Sequence, residues 1–264
     1  MEHVTLDTGA AMPMIGYGVY QIKPRDTQRC VSQAIQAGYR SIDTAQYYNN
    51  EDGVGRAVAA SGIPRSDFFL TTKVAVGGYH AASRSIEESL RRLRTDYVDL
   101  LLIHWPTGRD TDTWRALEEA HTARRAKAIG LSNFYGHEFT AIADRGEIVP
   151  SVNQLETHVF RQQGRARELM ARYGTQLESW GPFGEGRNGM FTHPVLTAIG
   201  HAHGKTVAQV ILRFLTQTGT VAIPKTTHPA RMAENLSIFD FTLNPDDLTQ
   251  IKSLDTDTSL FGWW

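Results

Sequence analysis

The sequence predicts an α/β protein of the (β/α)8 TIM barrel class, with an N-terminal β-hairpin and a C-terminal extra helix and tail. Short apolar or β-branched segments alternate with longer segments of helical periodicity along the chain. The alternation occurs eight times, the number of strands that closes a parallel barrel. The length of 264 residues suits one barrel, so we expect a single domain over residues 1–264.

An open, doubly wound sheet is the alternative arrangement of the same elements. That fold favours a Gly-x-Gly-x-x-Gly turn after its first strand. Here Gly16-Tyr17-Gly18 continues into Val19-Tyr20-Gln21, so the turn is absent. The barrel is therefore the preferred prediction.

The strands are predicted from apolar and β-branched runs bounded by turn residues. Val4–Leu6 and Ala11–Pro13 flank a polar turn, so we expect a hairpin that closes the bottom of the barrel. The eight barrel strands are predicted at Ile15–Gly18, Ser41–Asp43, Phe69–Val74, Val98–His104, Ala128–Ser132, Ser151–Glu156, Thr175–Trp180 and Val221–Ile223.

The helices are predicted from their periodicity and from capping residues at their ends. Ser83 is the expected N-cap of one helix and Thr206 of another, while Gly38 is expected to end the first. The predicted helices are Arg25–Ala37, Asp52–Ala60, Arg84–Leu93, Thr113–Arg124, Gly164–Tyr173, Val207–Gln217 and a last helix that ends at Ser253, with Asn244 as its N-cap and Pro245 in its first turn. The segment from Gly181 to Thr206 is predicted as an excursion, and the residues from Leu254 onward as a tail.

Composition excludes several classes of protein. Lys and Arg number 27 against 28 Asp and Glu, which argues against nucleic acid as the main partner. The single cysteine, Cys30, excludes an internal disulfide and a multi-cysteine metal site, and it suits a reducing cytoplasm. The sequence shows no signal peptide and no apolar run of ~18 residues, so we expect a cytoplasmic protein without a membrane partner.

Polar residues stand at the carboxyl ends of the predicted strands, where barrel enzymes have their active sites. Asp43 and Lys73 end apolar strands and have opposite charges, so we expect them to pair; alone, such a pair could be purely structural. Tyr48 adds a proton donor whose pKa of ~10 a neighbouring Lys73 would lower. With His104 beside a bound carbonyl oxygen, this set suits protonation of the alkoxide that hydride transfer forms.

A family resemblance rests on a series of segments, in order, over nearly the whole chain. These are Gly38–Ala45, Tyr48 with Asn50 and Glu51, Val54–Gly55, Thr71–Lys73, Leu102–Pro106, Ile129–Phe134, Val152–Gln154, and Ile223–Thr226 with Pro229, Arg231, Glu234 and Asn235. With them the sequence resembles the aldo-keto reductases, barrel enzymes that use nicotinamide cofactors. Glu178–Pro182 and Glu234–Phe241 resemble the bacterial 2,5-diketo-D-gluconate reductases.

The resemblance implies a monomeric, NADPH-dependent oxidoreductase that reduces aldehydes or ketones, with dicarbonyls, keto-sugar acids and keto esters as candidate small-molecule substrates. It implies catalytic roles for Tyr48 as general acid, Asp43, Lys73 and His104, and it implies no metal. The residues assigned to the cofactor are Ser132, Asn133, Gln154, Trp180, Gly181, Phe183, Glu185, Lys225, Thr226, Arg231, Glu234 and Asn235. The residues assigned to the substrate are Tyr20, Tyr47, Trp105 and Trp263.

NADPH is expected in preference to NADH because the resemblance places Lys225, Thr226 and Arg231 at the adenosine 2′-phosphate. Arginine gives fork-shaped, charge-assisted hydrogen bonds to phosphate, and lysine adds a point charge. Two other functions stay open. One is a cofactor-binding barrel that acts as a non-catalytic redox sensor or scaffold. The other is a metal-dependent hydrolase that uses scattered histidines.

Overall fold

The chain begins with an antiparallel hairpin formed by β1 (His3–Thr5) and β2 (Ala11–Pro13), as predicted. The structure is a computed structural model and describes residues 1–262. Met12 is fully buried and clusters with Phe69, Leu100 and Val152 near the amino ends of the barrel strands. The hairpin therefore closes the bottom of the barrel.

The eight barrel strands are parallel and lie side by side in chain order. They are β3 (Tyr17–Gly18), β4 (Ser41–Asp43), β5 (Phe69–Val74), β6 (Val98–Ile103), β7 (Ala126–Ser132), β8 (Val152–Glu156), β9 (Gln176–Trp180) and β10 (Val221–Ala222). A parallel bridge between Ile15 and Ala222 joins the two ends of the sheet. The sheet thus closes into the predicted (β/α)8 barrel, and the open-sheet alternative is wrong.

Helices connect the strands and cover the outside of the barrel. They are α1 (Pro24–Ala37), α2 (Glu51–Ala59), α3 (Tyr79–Leu93), α4 (Asp110–Thr122), α5 (Gly136–Ala143), α6 (Gly164–Ala171), α7 (Pro194–His203), α8 (Val207–Gln217), α9 (Pro229–Leu236) and α10 (Pro245–Lys252). Short 3-10 segments occur at Gln46–Tyr48 and Arg65–Asp67, and the segment Gly184–Thr192 contains 3-10 turns interrupted by a kink with non-helical backbone at residues 185–189. Within residues 1–262, no helix has the length and apolarity needed to cross a membrane.

Several helices differ from the sequence prediction, among them α5 and α9, which it did not include. Helix α3 begins at Tyr79, so Ser83 lies inside it, and its N-cap is Gly78 with φ of 93°. The Gly78 N–H donates to Thr113 Oγ1 of α4 at 2.8 Å, a tertiary contact that sets this start. Helix α7 lies within the segment predicted as an excursion, and it begins with a proline at its first position.

Candidate active site

The carboxyl ends of the strands open into a cleft of about 1070 Å³. All twelve sequence-predicted cofactor residues line it, together with Asp43, Tyr48, His104, Tyr20, Tyr47 and Trp105. Lys73 lies directly beneath its floor, fully buried. Trp263 lies outside the described residues. The structure therefore brings together the rest of the predicted site.

Lys73 is held between the acidic side chain and the tyrosine. Its Nζ donates to Asp43 Oδ1 at 2.5 Å and to the carbonyl oxygen of Thr44 at 3.0 Å. The third contact runs to Tyr48 Oη at 3.3 Å. Asp43 ends β4 and Lys73 lies near the end of the neighbouring β5, while the 3-10 turn after β4 carries Tyr48 over the lysine.

The ionisation of Tyr48 differs from the sequence prediction. Burial raises the pKa of Tyr48 to about 12, and this outweighs the lowering by Lys73. Burial alone would lower the pKa of Lys73, but Asp43 and then Tyr48 raise it overall, so the ammonium stays charged. Lys73 thus lowers the pKa of the phenol as expected, but the larger effect of burial leaves that pKa above its usual value. The Tyr48 phenol is therefore protonated at neutral pH and can donate that proton.

His104 lies beside the phenol, with its ring edge-on to Tyr48 and the ring centroids 5.5 Å apart. Burial, and then the charge of Lys73, hold the pKa of His104 well below its usual value. The imidazole is therefore neutral at pH 7, with one ring nitrogen protonated. Its Nδ1 is buried and has no hydrogen-bond partner among residues 1–262. Such a side chain can donate one hydrogen bond to a carbonyl oxygen in the cleft.

Asn133 fixes the neighbouring wall of the cleft. Its Nδ2 donates to the carbonyl oxygen of His104 at 3.0 Å and to Ser132 Oγ at 3.1 Å. Its Oδ1 accepts from Trp180 Nε1 at 2.8 Å. The residue adopts a φ of 65°, in the left-handed region that asparagine tolerates better than most residues. These bonds hold the indole of Trp180 at the end of β9.

The cleft extends from Trp180 to a positively charged end. Lys225 and Arg231 are exposed there, and Arg231 lies in the first turn of α9. Midway, Gln21 Nε2 donates to Glu185 Oε1 at 3.0 Å and so joins the loop after β3 to the loop after β9. The site is thus long. It has a cationic end, an aromatic end and, between them, two loops joined by a hydrogen bond.

Sequence reasoning missed several residues of this site. The lining residues that it did not assign are Gly18, Gln21, Pro182, Gly186, Phe191, Thr206, Val207, Ala208, Ile223 and Phe261. It also gave no role to Glu178, whose carboxyl group lies below the cleft beside Gln154. The sequence does indicate that Glu178 faces the site, because it lies two residues before Trp180 on β9 and alternate strand residues share a face.

The metal-dependent hydrolase alternative considered His193, His201 and His203 as ligands, and His203 lies away from the cleft. His203 Nε2 contacts Asp247 Oδ2 at 2.8 Å, on the outside of the barrel between α7 and α10. Over residues 1–262, no group of three or more His, Cys, Asp or Glu side chains is arranged to hold a metal ion.

Comparison with known proteins gives one family. The model of the Aldo/keto reductase family matches residues 8–256. The chain is 43% identical to a glyoxal reductase of Bacillus subtilis (strain 168), over 97% of this chain and 94% of that protein. It resembles the crystal structure of an aldo/keto reductase from Brucella melitensis with a TM-score of 0.93 and 42% identity, over 96% of this chain and 97% of that one. A Gox0644 variant crystallised in complex with NADPH gives a TM-score of 0.92 and 39% identity, over 97% of this chain and 94% of that one.

Proposed function

The chain belongs to the aldo/keto reductase family, and on that premise we propose that it reduces aldehydes and ketones to alcohols with NADPH. The observation that carries the proposal is the placement of Lys73 Nζ 3.3 Å from Tyr48 Oη, with His104 alongside, at the floor of an open cleft. We also propose that the protein is a monomer in the cytoplasm and that its partner is a small carbonyl compound.

The cleft suits a phosphorylated dinucleotide in the chemistry of its lining. Lys225 and Arg231 offer the charge-assisted hydrogen bonds that a 2′-phosphate takes. At the other end, Ser132 and Gln154 offer polar groups for a carboxamide, and Trp180 offers a flat aromatic face. When bound, NADPH supplies the hydride for the carbonyl carbon.

Side chains of the protein carry out the remaining steps of the proposed reaction. Tyr48 donates its phenolic proton to the carbonyl oxygen as that oxygen gains negative charge. The phenolate left behind is stabilised by the Lys73 ammonium, which Asp43 keeps charged and in place. Neutral His104 donates a hydrogen bond that orients the carbonyl oxygen towards Tyr48. Solvent then returns a proton to the phenolate.

The substrate end of the cleft is aromatic. Tyr47 packs edge-on against Trp105 with ring centroids 5.3 Å apart, and Tyr20 packs against Tyr48 at 4.9 Å. Tyr47 is 61% exposed, so this wall stays open to solvent. Small dicarbonyls are the first substrates to test because of the likeness to a glyoxal reductase. Keto-sugar acids, as in the 2,5-diketo-D-gluconate reductases, and keto esters complete the proposed class.

The test is the loss of NADPH absorbance at 340 nm with a panel of dicarbonyls, keto acids and aldehydes, with NADH run in parallel. We expect turnover with NADPH, and Tyr48→Phe is expected to lower kcat by about 10²–10⁴-fold because general-acid catalysis is lost. The dissociation constant for NADPH should stay unchanged. Tyr173→Phe is the matched control, since that phenol contacts Asp144 near the surface.

Tight NADPH binding without turnover of any panel member would contradict the proposal and favour the redox-sensor alternative. Equal activity of Tyr48→Phe and wild type would reject the assignment of the general acid.

A further inference from the structure

Glu178 is a buried carboxyl group that the mechanism above does not use. It lies on β9 with 1% of its surface exposed. Gln154 Nε2 donates to Glu178 Oε2 at 2.8 Å and to Asp43 Oδ2 at 2.9 Å. Both hydrogens of the Gln154 amide are thus committed to carboxyl groups. No group among residues 1–262 donates to Gln154 Oε1, which remains an acceptor for a ligand in the cleft.

The charges around Glu178 are unbalanced. Asp43 faces it from β4, and Lys73 faces it from β5 with Tyr48 on the far side of the lysine. Its partner strands β8 and β10 present Gln154 and Val221, which carry no charge. One ammonium therefore serves two buried carboxyl groups. Burial, and then the charge of Asp43, raise the pKa of Glu178 to about 8.

We propose that Glu178 is a positioning residue for the nicotinamide end of the cofactor, and that it is protonated when NADPH is bound and ionised when NADP⁺ is bound. This inference rests on the proposed function and on the assignment of Gln154 to the nicotinamide carboxamide. With its two hydrogens committed, Gln154 presents Oε1 to the carboxamide NH₂ group.

The coupling follows from charge. The oxidised nicotinamide ring carries a positive charge and the reduced ring carries none. A positive charge placed above this buried cluster favours the carboxylate over the carboxylic acid, and the low polarity of the surroundings strengthens the effect. Binding of NADP⁺ therefore releases the proton of Glu178, and binding of NADPH does not. By linkage, a rise in pH favours NADP⁺ over NADPH.

The experiment measures dissociation constants of NADP⁺ and NADPH by tryptophan fluorescence between pH 6.5 and 9.5. Both ligands carry the same 2′-phosphate, so the adenosine end cancels in the ratio. In the wild type, the ratio of the NADP⁺ to the NADPH constant should fall as pH rises, by about tenfold for each unit by which the oxidised ring lowers the pKa of Glu178. In Glu178→Gln, which keeps a hydrogen-bond acceptor but has no titrating proton, the ratio should be constant.

Glu51→Gln is the matched control. Glu51 is also buried, with a pKa raised by burial, but its carboxylate accepts from Thr72 Oγ1 at 2.6 Å and does not line the cleft. This variant should retain the wild-type pH dependence. Calorimetry of the wild type near pH 8, in two buffers of different ionisation enthalpy, counts protons directly and needs no variant. It should show more protons released with NADP⁺ than with NADPH.

The outcomes separate this inference from the proposed function. If both nucleotides bind but the ratio is independent of pH and proton release is equal, the inference is overturned and the function stands. A pH dependence that persists in Glu178→Gln also overturns it. A purely structural Glu178 would lower the melting temperature of the variant and leave the wild-type ratio flat. If neither nucleotide binds the wild type, the proposed function fails, and this inference fails with it.

Discussion

At the scale of single residues, Lys73 connects the groups on which the chemistry depends. A fully buried ammonium is costly unless it is paired and hydrogen-bonded, and Asp43 supplies the pairing. The same ammonium contacts Tyr48, so in the proposed function Tyr48 and Lys73 act as one unit in which the phenol carries the proton and the lysine stabilises its loss. Whether the two side chains act as one unit can be measured from the kcat values of single and double variants.

Lys73→Met should lower kcat about as much as Tyr48→Phe, and the double variant should be little worse than either single one. The reason is that each substitution removes the same proton-transfer unit, and effects within a unit are not additive. The measurement is kcat at saturating NADPH for the wild type, both single variants and the double variant. Losses that multiply in the double variant would contradict the shared unit.

A control is needed because Lys73→Met leaves Asp43 buried and unpaired, at a cost of about 3–5 kcal/mol in stability. Thermal melts therefore accompany the kinetics, with assays run well below the melting temperature of every variant. Lys127→Met is the matched lysine control. The Lys127 side chain is half exposed and pairs with Asp99 at 2.9 Å. It does not line the cleft.

Residues at strand ends were predictable because the carboxyl ends of parallel strands converge, which singles out Asp43, Lys73 and His104. The ionisation state of Tyr48 was not predictable, because the sequence shows the neighbouring cation but not the depth of burial, and burial dominates. Spacing along β9 places Glu178 on the same face as Trp180, but it does not reveal the contact with Gln154 on which the role proposed for Glu178 depends.

At the scale of elements, a buried carboxylate forms hydrogen bonds with the C-terminal tail. Glu156 on β8 accepts from Ser259 Oγ at 2.7 Å and from the Leu260 N–H at 2.8 Å. It also contacts Arg161 Nη1 at 2.6 Å. The tail thus reaches the cleft, where the ring of Phe261 lies 5.1 Å from that of Trp180.

These hydrogen bonds predict a pH dependence of stability. Burial would raise the pKa of Glu156, but hydrogen bonds from His158, Ser259, Leu260 and Arg161 lower it to about 2. The unfolded value is ~4.3, so the contribution of Glu156 is fully present above that pH and is lost as pH falls towards 2. We expect Glu156→Gln to be less stable than the wild type by a constant amount from pH 8 to 5, with the gap narrowing below pH 4.5.

Urea unfolding at a series of pH values measures this gap. Glu87→Gln is the control, because the Glu87 side chain is 59% exposed and surface pairs contribute little. A gap that stays constant down to pH 3 would show that the Glu156 charge does not hold the tail.

The start of a helix could be predicted where it is set by residues close together in the sequence. The capping box of α8, in which Thr206 and Gln209 bond each other's backbone, starts that helix at the predicted residue. The start of α3 was missed because it depends on a bond from Gly78 to Thr113 of another helix. Helix α5, of eight residues, was not predicted.

At the scale of the whole molecule, the two ends of the barrel have different tasks. The carboxyl ends of the strands form the cleft, and the amino ends are covered by the hairpin. Just before the hairpin, Glu2 pairs with Arg213 of α8 at 3.0 Å. This division was predictable, because strand periodicity and polarity at strand ends together define a barrel with one reactive face.

The division predicts that a cavity at the bottom will weaken the fold without altering the cleft. Met12 is fully buried on β2, among Leu100, Val152 and Val221 at the closed end. Met12→Ala removes this packing, so we expect a loss of about 2–5 kcal/mol in the free energy of unfolding. The substrate KM and the NADPH dissociation constant should be unchanged below the melting transition. Met12→Leu, which conserves volume, should lose less than about 1.5 kcal/mol. A shift of nucleotide affinity in Met12→Ala would show instead that the two ends are coupled through the barrel interior, where Leu100 and Val152 lie in the strands below the site.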